Sequence, residues 1–233
     1  MANDRVLDSD TAEQSTQTVQ SRGEVVYEWV RERIIDGRLP TGSRIRERDL
    51  AEEIQVSRIP IREAFPRLEA EGYIRTIPRR GAVVAPMGLP EVNEVFDVRA
   101  SLEVLAAKLA AQRCADGADG AVVIDALARA ERAVESGAVK DIAFATAQFH
   151  SSIVELAGSA LLSDLMVPVQ GRVARLFNLA NDRDALDLHR EHYDLADAIL
   201  KGQVTRACAL ALAHVEHSRA DTVPLFELAD PRP

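Results

Sequence analysis

The 233-residue chain contains no uninterrupted apolar run of about 18 residues, the length a helix needs to cross a bilayer, and this excludes a helical membrane span. Its Asp-, Gln- and Thr-rich start lacks the basic and apolar regions of a secretory signal, so the expectation is a soluble, cytoplasmic protein. Cysteine is almost absent: Cys114 and Cys208 lie far apart within helical patterns, without a CxxC pair. They read as small core residues rather than a disulfide or a thiolate metal site. Aromatic residues make up only 4% of the chain, and beyond residue 90 no alternation of apolar and polar residues marks a strand. An excess of basic charge is also missing, since the formal net charge is −9, and an acidic chain ordinarily argues against nucleic acid as a partner. That charge is unevenly spread. Residues 21–86 hold 13 Arg against 11 Asp/Glu, whereas residues 87–233 hold 14 Lys/Arg against 22 Asp/Glu. The field that meets a partner is local, so the first region remains open to DNA.

The segment from Arg44 to Pro86 carries the clearest pattern. Leu50, Ala51 and Ile54 recur at helical spacing, Val56-Ser57 interrupts them, and a second amphipathic run begins near Arg58. Within that run Ile61, Ala64, Phe65 and Leu68 form one apolar stripe, with Arg58, Arg62, Glu63, Arg67 and Glu69 on other faces. The basic positions gather at its N-terminal end, where free backbone N–H groups add partial positive charge and where a recognition helix meets bases and phosphates. Ser57 reads as the N-cap or as a phosphate donor. Pro66 lies inside the run, where it removes a hydrogen bond to the carbonyl of Arg62 and favours a bend, which leaves Arg67 beyond it a weak candidate for contact. After Gly72, two β-rich runs flank Pro78-Arg79-Arg80-Gly81, the pattern of a hairpin tipped by arginines. A helix-turn-helix followed by such a hairpin is a winged helix, whose wing can enter the minor groove. Arginines on a helix are more often a solvated face than a DNA contact, but three basic elements in winged-helix order favour DNA.

The run ERDLAEEIQVSRIPIREAFPRLEAEGYI followed by RRGAVVAP resembles the DNA-binding domain of the GntR family of bacterial transcription regulators, over about 65 residues. By position, the resemblance implies phosphate or base contacts from Arg48, Ser57, Arg58 and Arg62, and from Arg79, Arg80 and Gly81 in the wing.

The rest of the chain divides by composition. Residues 1–20 are polar and aperiodic and read as a disordered arm. Residues 21–86 form the winged domain, whose first amphipathic helix spans Ser21 to Arg38, and residues 87–90 (Met-Gly-Leu-Pro) form a linker. Residues 91–227 form a helical domain and residues 228–233 a tail. Six helices are predicted from Pro90 on, near 90–115, 119–137, 140–157, 160–181, 184–202 and 204–227. The fold class is therefore mainly α, an N-terminal winged helix-turn-helix joined to a C-terminal all-α antiparallel bundle.

All five histidines lie in that bundle. His150, His192 and His214 fall on three different predicted helices, each with apolar neighbours at helical spacing, so a bundle can bring them together. His189 and His217 are expected to be exposed. A single histidine on an apolar face is usually a hydrogen-bonded core residue, but three on separate helices suit a zinc or nickel site. Arg99 stands in an apolar frame of Val95, Phe96, Val98 and Leu102, and a buried guanidinium needs an anion. Its partner is either Glu103 or a neighbouring helix, or else the carboxylate of a small metabolite held by a bidentate pair. Arg172 is a weaker candidate for the same role.

Three stretches, FDVRASLE (96–103), FHSSIVELAGSALL (149–162) and EHYDLADAI (191–199), resemble the FCD effector domain of FadR-like GntR regulators, and six helices resemble the VanR-type branch. The resemblance implies a divalent metal bound by His150, His192 and His214. It also implies an aspartate four residues before His150, where this chain has Thr146. Asp141 is out of register for that role. A threonine hydroxyl is a weak neutral ligand, so the site loses a charged donor. The resemblance further implies an effector pocket formed by Arg99, Thr146, Arg172 and the three histidines.

The expected function is a ligand-responsive transcription regulator, in the commoner arrangement a repressor. It would bind operator DNA as a homodimer and sense a small organic acid in its helical domain. Two rivals stand beside it. One is a metalloenzyme with an attached winged domain, which lacks an evident acid/base partner for a metal-bound water. The other is a constitutive dimeric DNA binder whose histidines are core packing.

Overall fold

The computed structural model describes residues 21–179 and 184–229. The proposed arm at residues 1–20, and most of the proposed tail, lie outside the described residues.

The winged domain begins with α1 (Arg22–Ile35), whose N-cap Ser21 accepts a hydrogen bond from the Glu24 N–H at 3.1 Å. α2 (Glu47–Ile54) and α3 (Arg58–Ala70) follow, joined by a turn in which Gln55 adopts a left-handed conformation at φ 58°. Val26, Tyr27 and Val30 of α1 meet Ile61, Phe65 and Leu68 of α3 and Leu50 of α2, so the apolar stripe read from the sequence is the buried one. α3 runs unbroken through the exposed Pro66. β2 (Ile74–Ile77) and β3 (Gly81–Val84) form the antiparallel hairpin, with Ile77 opposite Gly81. Its tip places Arg79 at φ 62° and Gly81 at φ 87°, and a Cβ on Gly81 would strike the Ile45 carbonyl oxygen, so only glycine fits this close approach. A third strand, β1 (Arg44–Ile45), was not anticipated. It pairs antiparallel with β3 and gives the order β1-β3-β2.

The second domain holds six helices among the described residues: α4 (Leu89–Ala115), α5 (Ala121–Ser136), α6 (Val139–Ala157), α7 (Ala160–Leu179), α8 (Ala185–Leu200) and α9 (Val204–Ala229). Two boundaries need correction. α4 starts at Leu89, inside the expected 87–90 linker, because Pro90 suits the first turn and Glu91 accepts the Gly88 N–H at 3.0 Å. α9 continues through Pro224 to Ala229, past the expected end at 227. α4 is the central element, packed along α9 and touching α6, α7 and α8. Its Ala106, Ala107, Ala110 and Ala111 let neighbours approach closely and meet Phe149, Ile153, Leu195 and Ala211. Cys114 and Cys208 are free and half-buried.

The two domains meet through α7, which packs against α1. Arg175 is buried and donates to the Ala85 carbonyl at 2.7 Å and to the Thr41 hydroxyl at 3.0 Å. Arg172 donates from Nε to the Glu71 carbonyl at 3.0 Å. Gly171 lies against the Tyr73 hydroxyl with no room for a Cβ.

Candidate functional site

Two sites emerge, one in each domain. In the winged domain, Ser57 occupies the N-cap of α3 without bonding the helix by its side chain, which leaves its exposed hydroxyl available to a partner. Arg58 is exposed beside it, and so is Ile59, with 66% of its surface in solvent. Arg62 donates to Glu47 Oε2 at 2.9 Å, a mostly exposed pair that a phosphate or base can displace. Arg48 faces Asp49 and Glu52, and its side chain is 76% exposed. Arg79 and Arg80 are exposed at the hairpin tip, where the Arg80 carbonyl accepts two hydrogen bonds from Arg44. Arg67 is a strut instead. It donates to Glu24 and Glu71 and stacks 3.6 Å from the Tyr27 ring centroid.

In the helical domain, α6, α8 and α9 bring His150, His192 and His214 together, with ring centroids 4.9–5.1 Å apart. One donor atom from each lies within 4.8 Å of the other two. His192 and His214 are buried, and His150 is largely so. Phe149 packs against His192 at 4.6 Å between centroids and walls the cluster on its apolar side. His217 is exposed as expected, but His189 is half-buried and stands outside the cluster. Thr146 lies one turn before His150 on α6 and is half-buried.

α4 contributes the charges. Arg99 is 1% exposed and donates from Nε to Glu103 Oε1 at 2.6 Å, one turn along the same helix. The structure shows the pair with Glu103, and the buried Nη1 of Arg99 has no hydrogen-bond partner among the described residues. The opposite oxygen of Glu103 lies 3.4 Å from His150 Nδ1, so one carboxylate bridges the arginine and the histidine cluster. Burial opposes the ionisation of Glu103. The charges of Arg99 and His150 and the Arg99 hydrogen bond outweigh burial and hold its carboxyl down to about 2. A small cavity beside Glu103 and His150, walled by Ala107, Ile153, Met166 and Leu195, offers about 10 Å³ to water-sized occupants, room for one water or one ion. Of the expected effector-site residues only His150 lines it; Arg99, Thr146, Arg172, His192 and His214 do not. The structure sets Arg172 at the domain junction, because its guanidinium reaches the C-terminal end of α3.

Three structural features escaped the sequence reading. Glu191 accepts or shares protons with both His214 and His217, each at 2.8 Å, and its only signal was adjacency to His192. Arg175 gave no signal, since its partners at Thr41 and Ala85 lie in the other domain. Ile59 was hidden by the apolar stripe beside it.

Residues 22–84 match the gntR family of bacterial regulatory proteins, and residues 94–217, more than half of the chain, match the FCD domain. The chain belongs to the FCD-containing GntR regulators. It is 29% identical to the HTH-type transcriptional regulator YdhC of Bacillus subtilis over 82% of this chain and 86% of that one. It is 28% identical to the transcriptional repressor GlaR of Escherichia coli over 81% of this chain and 90% of that one. The solved structure of E. coli McbR/YncC superposes with a TM-score of 0.74, covering 91% of this chain and all of that one at 20% identity, a likeness of fold. This GntR regulator is accordingly a DNA-binding transcription regulator and not an enzyme. No helix among the described residues is long and apolar enough to cross a membrane.

Proposed function

We propose that this regulator is a cytoplasmic homodimeric repressor whose operator affinity is set by a small organic acid bound in the helical domain. The recognition surface is formed by Arg48, Ser57, Arg58, Arg62, Arg79, Arg80 and Gly81. The effector site comprises Arg99, Thr146 and the three histidines.

One observation carries this reading: a fully buried guanidinium, whose Nη1 has no hydrogen-bond partner among the described residues, is joined through Glu103 to a cluster of three imidazoles. A buried, unsatisfied charged donor is costly, and an effector carboxylate relieves that cost. The histidine set also fits a divalent ion, since three neutral nitrogen donors from separate rigid helices suit zinc or nickel. An ion held by His150, His192 and His214 would supply positive charge for the effector carboxylate. Thr146 adds no charge of its own, and the Glu103 carboxylate beside His150 keeps a negative group at the cluster. The cavity beside His150 has room for about one water or ion, so an organic acid entering there would have to move its walls, and that movement would give the ligand different affinities for two states of the protein.

The test is to titrate a panel of mono- and dicarboxylates while following operator binding by fluorescence anisotropy, with wild type and Arg99→Ala in parallel. A carboxylate that weakens operator binding of wild type but not of the variant is expected. A panel without effect on either protein sinks the effector reading, and elemental analysis of chelator-free protein decides the metal separately.

A further inference from the structure

Among the histidine-cluster residues, His214 is held from outside by a carboxylate on the neighbouring helix. Glu191 Oε2 lies 2.8 Å from His214 Nδ1, and Glu191 Oε1 lies 2.8 Å from His217 Nδ1. His214 and His217 stand one turn apart on α9, so one carboxylate of α8 grips both rings. We infer that Glu191 is a positioning residue that fixes His214 as a metal donor. This rests on reading the three histidines as a metal site.

A carboxylate opposite Nδ1 selects the tautomer that carries its proton there, because an ionised carboxylate only accepts hydrogen bonds. The remaining lone pair then sits on Nε2, across the ring from Glu191. His214 is only 3% exposed, so the direction of that lone pair is set by packing and by this one bond rather than by solvent. A carboxylate behind a ligating imidazole also fixes its ring orientation. Because α8 carries Glu191 directly before His192, the same turn of helix supplies one donor ring and the group that aims another. His217 is 62% exposed at the side chain and stands on the solvent side of the grip. It steadies the Glu191 rotamer and is not a ligand. His150 meets Glu103 at the same ring atom, at the looser distance of 3.4 Å.

The alternative role for Glu191 is an ion pair that merely ties α8 to α9, which would alter stability and leave metal affinity alone. Zinc affinity, measured by competition with a chromophoric chelator, and the ligand-field spectrum of the cobalt-substituted protein separate the two. Glu191→Ala is expected to weaken zinc roughly 10- to 100-fold and to shift the cobalt bands, as loss of an outer-shell partner typically does. Glu191→Gln, which keeps an acceptor but not the charge, should fall between the variant and wild type. If either variant unfolds, the folded one supplies the comparison, and thermal unfolding of each reports the structural share. Wild-type zinc affinity and an unchanged cobalt spectrum in Glu191→Ala would overturn the inference while leaving the metal site standing. Failure of the wild type to bind zinc or cobalt would overturn both together.

Discussion

Arg58 and Arg62 stand at the same end of the recognition helix but begin from different states. Arg62 is engaged with Glu47 at 2.9 Å, whereas Arg58 is exposed and no such pair occupies it among the interactions described. A lost base contact costs about 1–3 kcal/mol of operator affinity, and an exposed ion pair is worth about 0–1 kcal/mol. Replacing Arg58 with Ala should therefore register the full loss, and replacing Arg62 should register that loss less the cost of leaving Glu47. Removing Glu47 should leave operator binding unchanged or slightly tighter. Anisotropy titrations at fixed salt measure all three, and unaltered binding in both arginine variants would remove α3 from the recognition surface. These arginines were legible because charge at a helix N-terminus follows from spacing alone. The different fates of Arg67 and Arg172 were not, since each is decided by what lies opposite: Glu24 and Tyr27 for one, the Glu71 carbonyl for the other.

At the scale of elements, the long periodic segments were readable because each apolar stripe needs a neighbour to cover it, and the six helices of the second domain lie close to their predicted places. β1 is the instructive miss. Two residues carry no period, and Arg44-Ile45 becomes a strand only because β3 offers an unpaired edge. α7 shows the same limit in a more consequential place. Its sequence reads as an ordinary bundle helix, yet Arg175 leaves its own domain to bind Ala85 and Thr41. Burial pushes the Arg175 guanidinium below its ordinary pKa, the mark of a cation withdrawn from water. Truncating it to Ala strands the Ala85 carbonyl in a buried site, which costs about 1–3 kcal/mol. Urea unfolding should show that loss, or should split into two transitions as the domains separate. A single transition with unchanged midpoint would mean that the junction draws nothing from this bond.

For the whole molecule, α7 touches both ends of the regulatory problem. Met166 walls the small cavity, Gln170 donates to Ser151 next to His150, and Gly171, Arg172 and Arg175 carry the contacts to the winged domain. An effector of the proposed kind, if larger than the cavity, would have to move one of its walls, and movement of α7 would alter the seat of the recognition helix through the Glu71 carbonyl and Tyr73. Linkage then requires reciprocity: the factor by which effector weakens operator binding equals the factor by which operator weakens effector binding, typically 5- to 150-fold. Calorimetry of the effector with and without saturating operator, set beside anisotropy with and without saturating effector, tests that equality. The route through α7 is tested by Gly171→Ala, whose added methyl collides with the Tyr73 hydroxyl and forces the junction apart. This variant should still bind effector and operator separately, with the two factors falling together toward unity. If both factors keep their wild-type values in Gly171→Ala, the signal does not run through α7, and the linker between Ala85 and Leu89 becomes the remaining covalent path between pocket and DNA.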